Sequence, residues 1–152
     1  MTPAHLQALL GPDGCLSAAL ADGEGAMLRI DGGCMEPDLR HGAAVKVARS
    51  RFLWPGDVVA FHCPYQDRFL MHRCLGYVRS RGAWKLMTMP DNGVKPDVLV
   101  DLPRVLGHIA WHADAPYRVP ARKRLASLRR YLFWCSRLLI RRLNPADPPS
   151  PG

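Results

Sequence analysis

Glycine and proline interrupt this chain so often that a helical bundle is closed to it: 13 Gly and 14 Pro stand among 152 residues. In a helix interior each glycine costs about 1 kcal/mol and each proline about 3 kcal/mol relative to alanine. A loop-rich β protein of short strands suits the composition better. The length is that of one ordinary domain. With 48% of residues apolar, a core can form without metal or disulfide staples.

The segments between the breakers read as strands. Ala26 to Asp31 is predicted as a strand, ended by Gly32-Gly33. AAVKVAR (43–49) alternates as a strand with one wet face does. Trp54-Pro55-Gly56-Asp57 is a turn leading into DVVAFH (57–62). RFLMHRCLGYV (68–78) is a longer strand, WKLMTM (84–89) a short one and VLGHIAWH (105–112) the last. PDNGVKPD (90–97) carries the residues of tight turns. A short helix is expected over Thr2 to Leu10.

The period changes at Ala121. Leu125, Leu128, Leu132, Cys135, Leu139 and Leu143 recur at three- and four-residue steps, which predicts an amphipathic helix stopped by Asn144-Pro145. The organisation expected is a segment 1–25, a β domain 26–115, a helix within 116–144 and a Pro-rich disordered tail 145–152.

Charge follows the same division. The net charge is +8, yet eight Lys or Arg and no acid lie between Arg122 and Arg142. Without those eight and Asp147, 13 basic residues face 12 acidic ones, so the basic surface is local. Three uses of the helix stay open: lying on anionic lipid with Tyr131, Phe133 and Trp134 near the headgroups, docking an acidic partner, or packing its leucine stripe on the β domain. No nucleic-acid recognition motif is present, and no nucleic-acid partner is expected.

Cys15, Cys34, Cys63, Cys74 and Cys135 are odd in number and lack C-x-x-C spacing, which points to reduced thiols in a reducing compartment. The N-terminus has no cationic start followed by an apolar run, so no signal peptide is expected. The longest apolar stretch, residues 131–140, is too short to span a bilayer and contains Arg137. The expected location is the cytoplasm, with peripheral membrane contact through the helix left open.

Three islands carry chemistry: GGCMEPDLRHG (32–42), FLMHRCLG (69–76) and MPDNGVKPD (89–97). Two glycines before a cysteine let backbone amides approach an oxyanion. A free thiol, with an ordinary pKa of about 8.5, needs a base to react near neutrality, and a histidine is the residue for that task.

The run G-G-C-M-E-P-x-L-x-x-G resembles the G-x-S-M-x-P-x-L-x-x-G box of type I signal peptidases, with Cys34 at the serine. Pro55-Gly56-Asp57-Val58-Val59 is similar to that family's G-D-V-V element. His72-Arg73 resembles the His-Arg pair of the endoplasmic-reticulum and archaeal branch, where the bacterial branch has lysine. Asp91-Asn92 with Asp97 is similar to that branch's G-D-N-N loop and its second acid, and Val105 to Ile109 resembles the closing V-x-G-x-V strand. The likeness covers roughly residues 26–111.

It implies a small, partly barrel-like β-fold of mixed, antiparallel sheets and a peptidase that uses no cofactor or metal. Cys34 would be the nucleophile, His72 the base and Asp97 the acid that orients it, with Asp91 as support or alternative. The oxyanion hole would be the backbone of Gly33 and Cys34, and Met35 and Pro37 would meet an extended peptide substrate. Four departures stand out: cysteine for serine, Gly32 for an oxyanion-hole hydroxyl residue, Ala43 for an acid, and Met89-Pro90 for Lys-Gly. The family's membrane anchor before the first box is not seen, which turns the expectation toward trimming of a dedicated precursor or leader peptide. A catalytically degenerate peptide-binding module is the alternative. Self-cleaving repressors are similar to the same family in fold, but with 25 residues before the first strand their DNA-binding domain is not expected here.

Overall fold

The computed structural model describes residues 25–63, 65 and 68–143. The expected helix over 2–10, Cys15 and the tail 145–152 lie outside the described residues.

Eight strands form: β1 (Ala26–Arg29), β2 (Ala44–Ala48), β3 (Val58–His62), β4 (Phe69–Ser80), β5 (Ala83–Met89), β6 (Val100–Asp101), β7 (Val105–His112) and β8 (Ala115–Pro116). One helix follows, α1 (Ala121–Leu143). The strands make a single sheet in the order β1-β2-β7-β3-β4-β5-β6, with β8 on β7, curled into half a barrel. The protein is thus mainly β with one C-terminal helix. Every pairing is antiparallel, as expected of the partly barrel-like β-fold.

Alternation explains the layers. On β2, Val45 and Val47 are buried while Ala44 is exposed and Lys46 half-buried. The centre of the sheet is different: β3 lies between β4 and β7 and is buried on both faces. Val58 and Ala60 join Leu28, Val45 and Ile109 in one core, whereas Val59 and Phe61 join Leu53, Leu86 and Val100 in a second. A strand with period two thereby supplies two cores at once.

Helix α1 docks against β4 and β5. Tyr131, Trp134 and Leu138 pack on a third core of Leu75, Met87 and Met89. Close approach requires glycine at Gly76, where a Cβ would lie 2.7 Å from the Tyr131 ring. The Tyr131 hydroxyl donates to the Tyr77 carbonyl at 2.5 Å. Arg124 donates to the Pro55 carbonyl at 3.1 Å and pairs with Asp57 at 3.0 Å. Of the leucine stripe, Leu125, Leu128, Leu132 and Leu139 remain exposed. Packing of that stripe on the domain is therefore overturned, and Tyr131 and Trp134 face the protein instead of standing free for headgroups. Leucine spacing marks an apolar face, but the face that docks is chosen by what the sheet offers: carboxylates, free carbonyls and a glycine gap sized for a ring. No helix among the described residues is long and apolar enough to cross a membrane.

Candidate active site

The loop after β1 presents Cys34. Gly32 has φ +105°, a left-handed conformation open to glycine and costly to other residues. Ile30 and Leu39, both buried, fix the two ends of this loop. Met35 is wholly buried in the first core, which holds the preceding cysteine half-buried at the rim. The expected contact of the Met35 side chain with substrate is accordingly corrected: it is a core anchor, because a thioether gains more from apolar packing than from water. Pro37 is exposed.

The Cys34 thiol donates toward the Met71 carbonyl at 3.7 Å, which sets it over β4 beside His72. His72 stands opposite Val59 in the β3–β4 pairing, is 7% exposed, and meets the edge of the Phe61 ring at 5.9 Å. Its Nδ1 lies 2.7 Å from Asp97 Oδ2. The same carboxylate oxygen accepts from Thr88 Oγ1 at 2.7 Å, and the Asp97 amide donates to the Thr88 carbonyl at 2.9 Å. With Nδ1 committed to Asp97, Nε2 is the nitrogen left for the thiol. Burial pulls the His72 pKa down, but hydrogen bonds and charge from Asp97 and Cys34 outweigh it and raise it from 6.5 to about 9. The upward shift favours the protonated ring, the form that pairs with a thiolate.

Asp91 has another task. Arg73, buried to 1% exposure, donates Nε to Asp91 Oδ1 and Nη2 to Asp91 Oδ2, both at 2.6 Å. Its remaining donors reach Asp38 at 2.9 Å and the Gly56 carbonyl at 2.7 Å. Lys123 of α1 adds contacts to Asp91 at 3.1 Å and Asp38 at 3.2 Å. Burial works against the Asp91 carboxylate, yet Arg73 and Lys123 more than offset it and hold its pKa below the ordinary value. Asp91 is thus not an alternative partner for His72. Its amide donates to the Cys34 carbonyl at 3.0 Å, so the Arg73–Asp91 pair fixes the backbone that carries the thiol. Among the described residues, the amides of Gly33 and Cys34 have no protein acceptor, as an oxyanion hole requires.

Sequence reasoning missed Thr88, Asp38 and Lys123. Thr88 had a faint signal, a lone hydroxyl in the apolar end of β5. Lys123 had none, since it looks like one solvated charge among many. Burial pushes the Cys74 thiol up to about 12, with Asp57 adding to the effect, which makes it inert beside Cys34. Among the described residues no group of three or more His, Cys, Asp or Glu is arranged to hold a metal ion.

No protein-family model matches the chain, and no curated protein matches it.

Proposed function

We propose that this chain is an endopeptidase that cleaves an extended segment of a dedicated precursor or leader peptide, with Cys34 as nucleophile. The observation that carries the reading is the line Cys34–His72–Asp97: a half-buried thiol beside an imidazole whose far nitrogen is held by a carboxylate at 2.7 Å. The order nucleophile, base, orienting acid is that of a catalytic triad.

The Cys34 proton resides on His72 Nε2, Asp97 holds the resulting imidazolium at Nδ1, and the thiolate Sγ attacks the scissile carbonyl carbon. The oxygen gains negative charge beside the amides of Gly33 and Cys34. As the C–N bond breaks, His72 returns the proton to the leaving amine, and a thioester remains on Cys34. Water then attacks the thioester, its proton passing to His72, and Sγ departs to regenerate the enzyme. Gly32 supplies no hydroxyl to the oxyanion, so the two amides do this alone. Strand β1 ends the sheet with no partner on its outer edge among the described residues and runs directly into the Cys34 loop. An extended peptide added there would reach the thiol through backbone pairing.

Alkylation by iodoacetamide, followed by mass spectrometry, tests the reading. At neutral pH Cys34 is expected to react more than about tenfold faster than Cys63 or Cys135, as a thiolate does, and His72→Ala should erase the difference. Reaction of Cys34 no faster than that of Cys135 sinks the thiolate pair. If peptide binding persists in that case, the chain is a degenerate binding module.

A further inference from the structure

Helix α1 leaves an apolar face unused by the fold. Leu125, Leu128, Leu132 and Leu139 are 59%, 41%, 58% and 58% exposed. At 1.5 Å per residue this stripe is about 21 Å long. It does not end at the helix. A cleft of about 880 Å³ between helix and sheet is lined by Phe52, Trp54, Trp84, Leu128 and Tyr131. A neighbouring hollow shares Trp84 and Tyr131 and continues to Leu139. Stripe and cleft therefore form one apolar surface, and Trp54 and Trp84 stand in it 62% and 57% exposed. A soluble chain rarely leaves so continuous an apolar surface without a partner.

Charge decides the partner. No acid occurs between residues 115 and 146. Arg122 and Arg129 are exposed and fall about 40–60° around the helix from Leu125, along the stripe's far flank. Arg137 stacks over Phe133 at 5.7 Å, and exposed Arg49 and Arg51 rim the cleft. A second copy would set one acid-free basic face against another, which repels. An anionic phospholipid surface takes both the leucines and the arginines. Indole rings, apolar with one polar edge, suit the boundary between acyl chain and headgroup.

We infer that α1 and the adjoining cleft lie in the plane of an anionic bilayer, leucines and indoles immersed and arginines on the headgroup phosphates. The chain rests on the membrane surface by this face, and the inference stands independently of the peptidase reading.

Co-sedimentation of the full chain with phosphatidylcholine vesicles, with and without about a third phosphatidylglycerol, tests it. Binding is expected only to the anionic vesicles, with a blue shift of tryptophan emission that shrinks in Trp54→Phe/Trp84→Phe. Arg122→Gln/Arg129→Gln should weaken binding about 25-fold, about fivefold for each charge. Leu125→Glu/Leu132→Glu should abolish it while thermal unfolding is unchanged, because both positions are exposed. No binding to anionic vesicles overturns the inference. So does binding that survives the leucine changes, which would place the contact elsewhere. A leucine variant that dissolves a dimer, with no vesicle binding in the parent, also overturns it in favour of a protein interface.

Discussion

Replacing Asp97 by Asn removes one charge from the site and leaves its shape, so it isolates what holds His72 protonated. The imidazole is buried, and burial is the largest single influence on its pKa, acting downward. Asp97, 2.7 Å from Nδ1, provides the leading upward effect, and Cys34 adds to it. The net result, from 6.5 to about 9, is worth about 3 kcal/mol at about 1.36 kcal/mol per pKa unit. Without the Asp97 charge, burial faces Cys34 alone, and the titration midpoint should fall. Linkage fixes the sign. A folded-state pKa above the unfolded value stabilises fully below pH 6.5, and that stabilisation is lost as pH rises through about 9. The parent protein should therefore lose about 3 kcal/mol of stability across that window, and Asp97→Asn should lose less there. Ring-nitrogen NMR titration, with His72→Gln to assign the signal, reads the midpoint. Urea unfolding on either side of the window reads the stability. Peptide turnover should also fall by about 10⁴, as when the acid of a Ser–His–Asp triad becomes an amide and fixes the wrong tautomer. A His72 midpoint that stays near 9 in the Asn variant refutes the reasoning.

Two further substitutions separate support from chemistry. Asp91→Asn leaves Arg73 buried with part of its charge uncompensated, and urea unfolding should report a loss of about 3 kcal/mol. The His72 midpoint should not move, because Asp91 bonds Arg73 and Lys123 and not the imidazole. Gly76→Ala would set a methyl 2.7 Å from the Tyr131 ring and force α1 off the sheet, at about 1–3 kcal/mol. Trypsin should then cut the arginine-rich helix faster, while the β core resists.

Periodicity made β1, β2 and β7 legible because burial alternates along them, and β2 reads directly from AVKVA, whereas β3, β4 and β5 carry continuous buried runs. It could not show β6 or β8, which are two residues each and are strands only because β5 and β7 offer free edges. The grouping of Cys34 with His72 and an acid was legible by order, but spacing could not choose between Asp91 and Asp97. That choice is made in three dimensions, where Arg73 claims Asp91 with two bonds and Thr88 clamps Asp97 toward His72. Met35 was misplaced for a related reason. In a loop that dips into the core, neighbours such as Cys34 and Met35 face opposite ways, and nothing in the sequence says which one sees solvent.

The first turn of α1 carries Arg122, Lys123 and Arg124 and no acid, the wrong sign for a helix N-terminus. The macrodipole disfavours each such cation by about 0.3–1 kcal/mol. The sheet supplies the reason. Lys123 reaches Asp38 and Asp91, and Arg124 reaches Asp57, so acids from three loops around the site meet the helix start. Asp38 belongs to the Cys34 loop, and the Asp91 amide holds the Cys34 carbonyl. The helix start is therefore built for the sheet at some cost to the helix itself. The same contacts join the start of α1, through Lys123 and Asp91, to the backbone that carries the thiol.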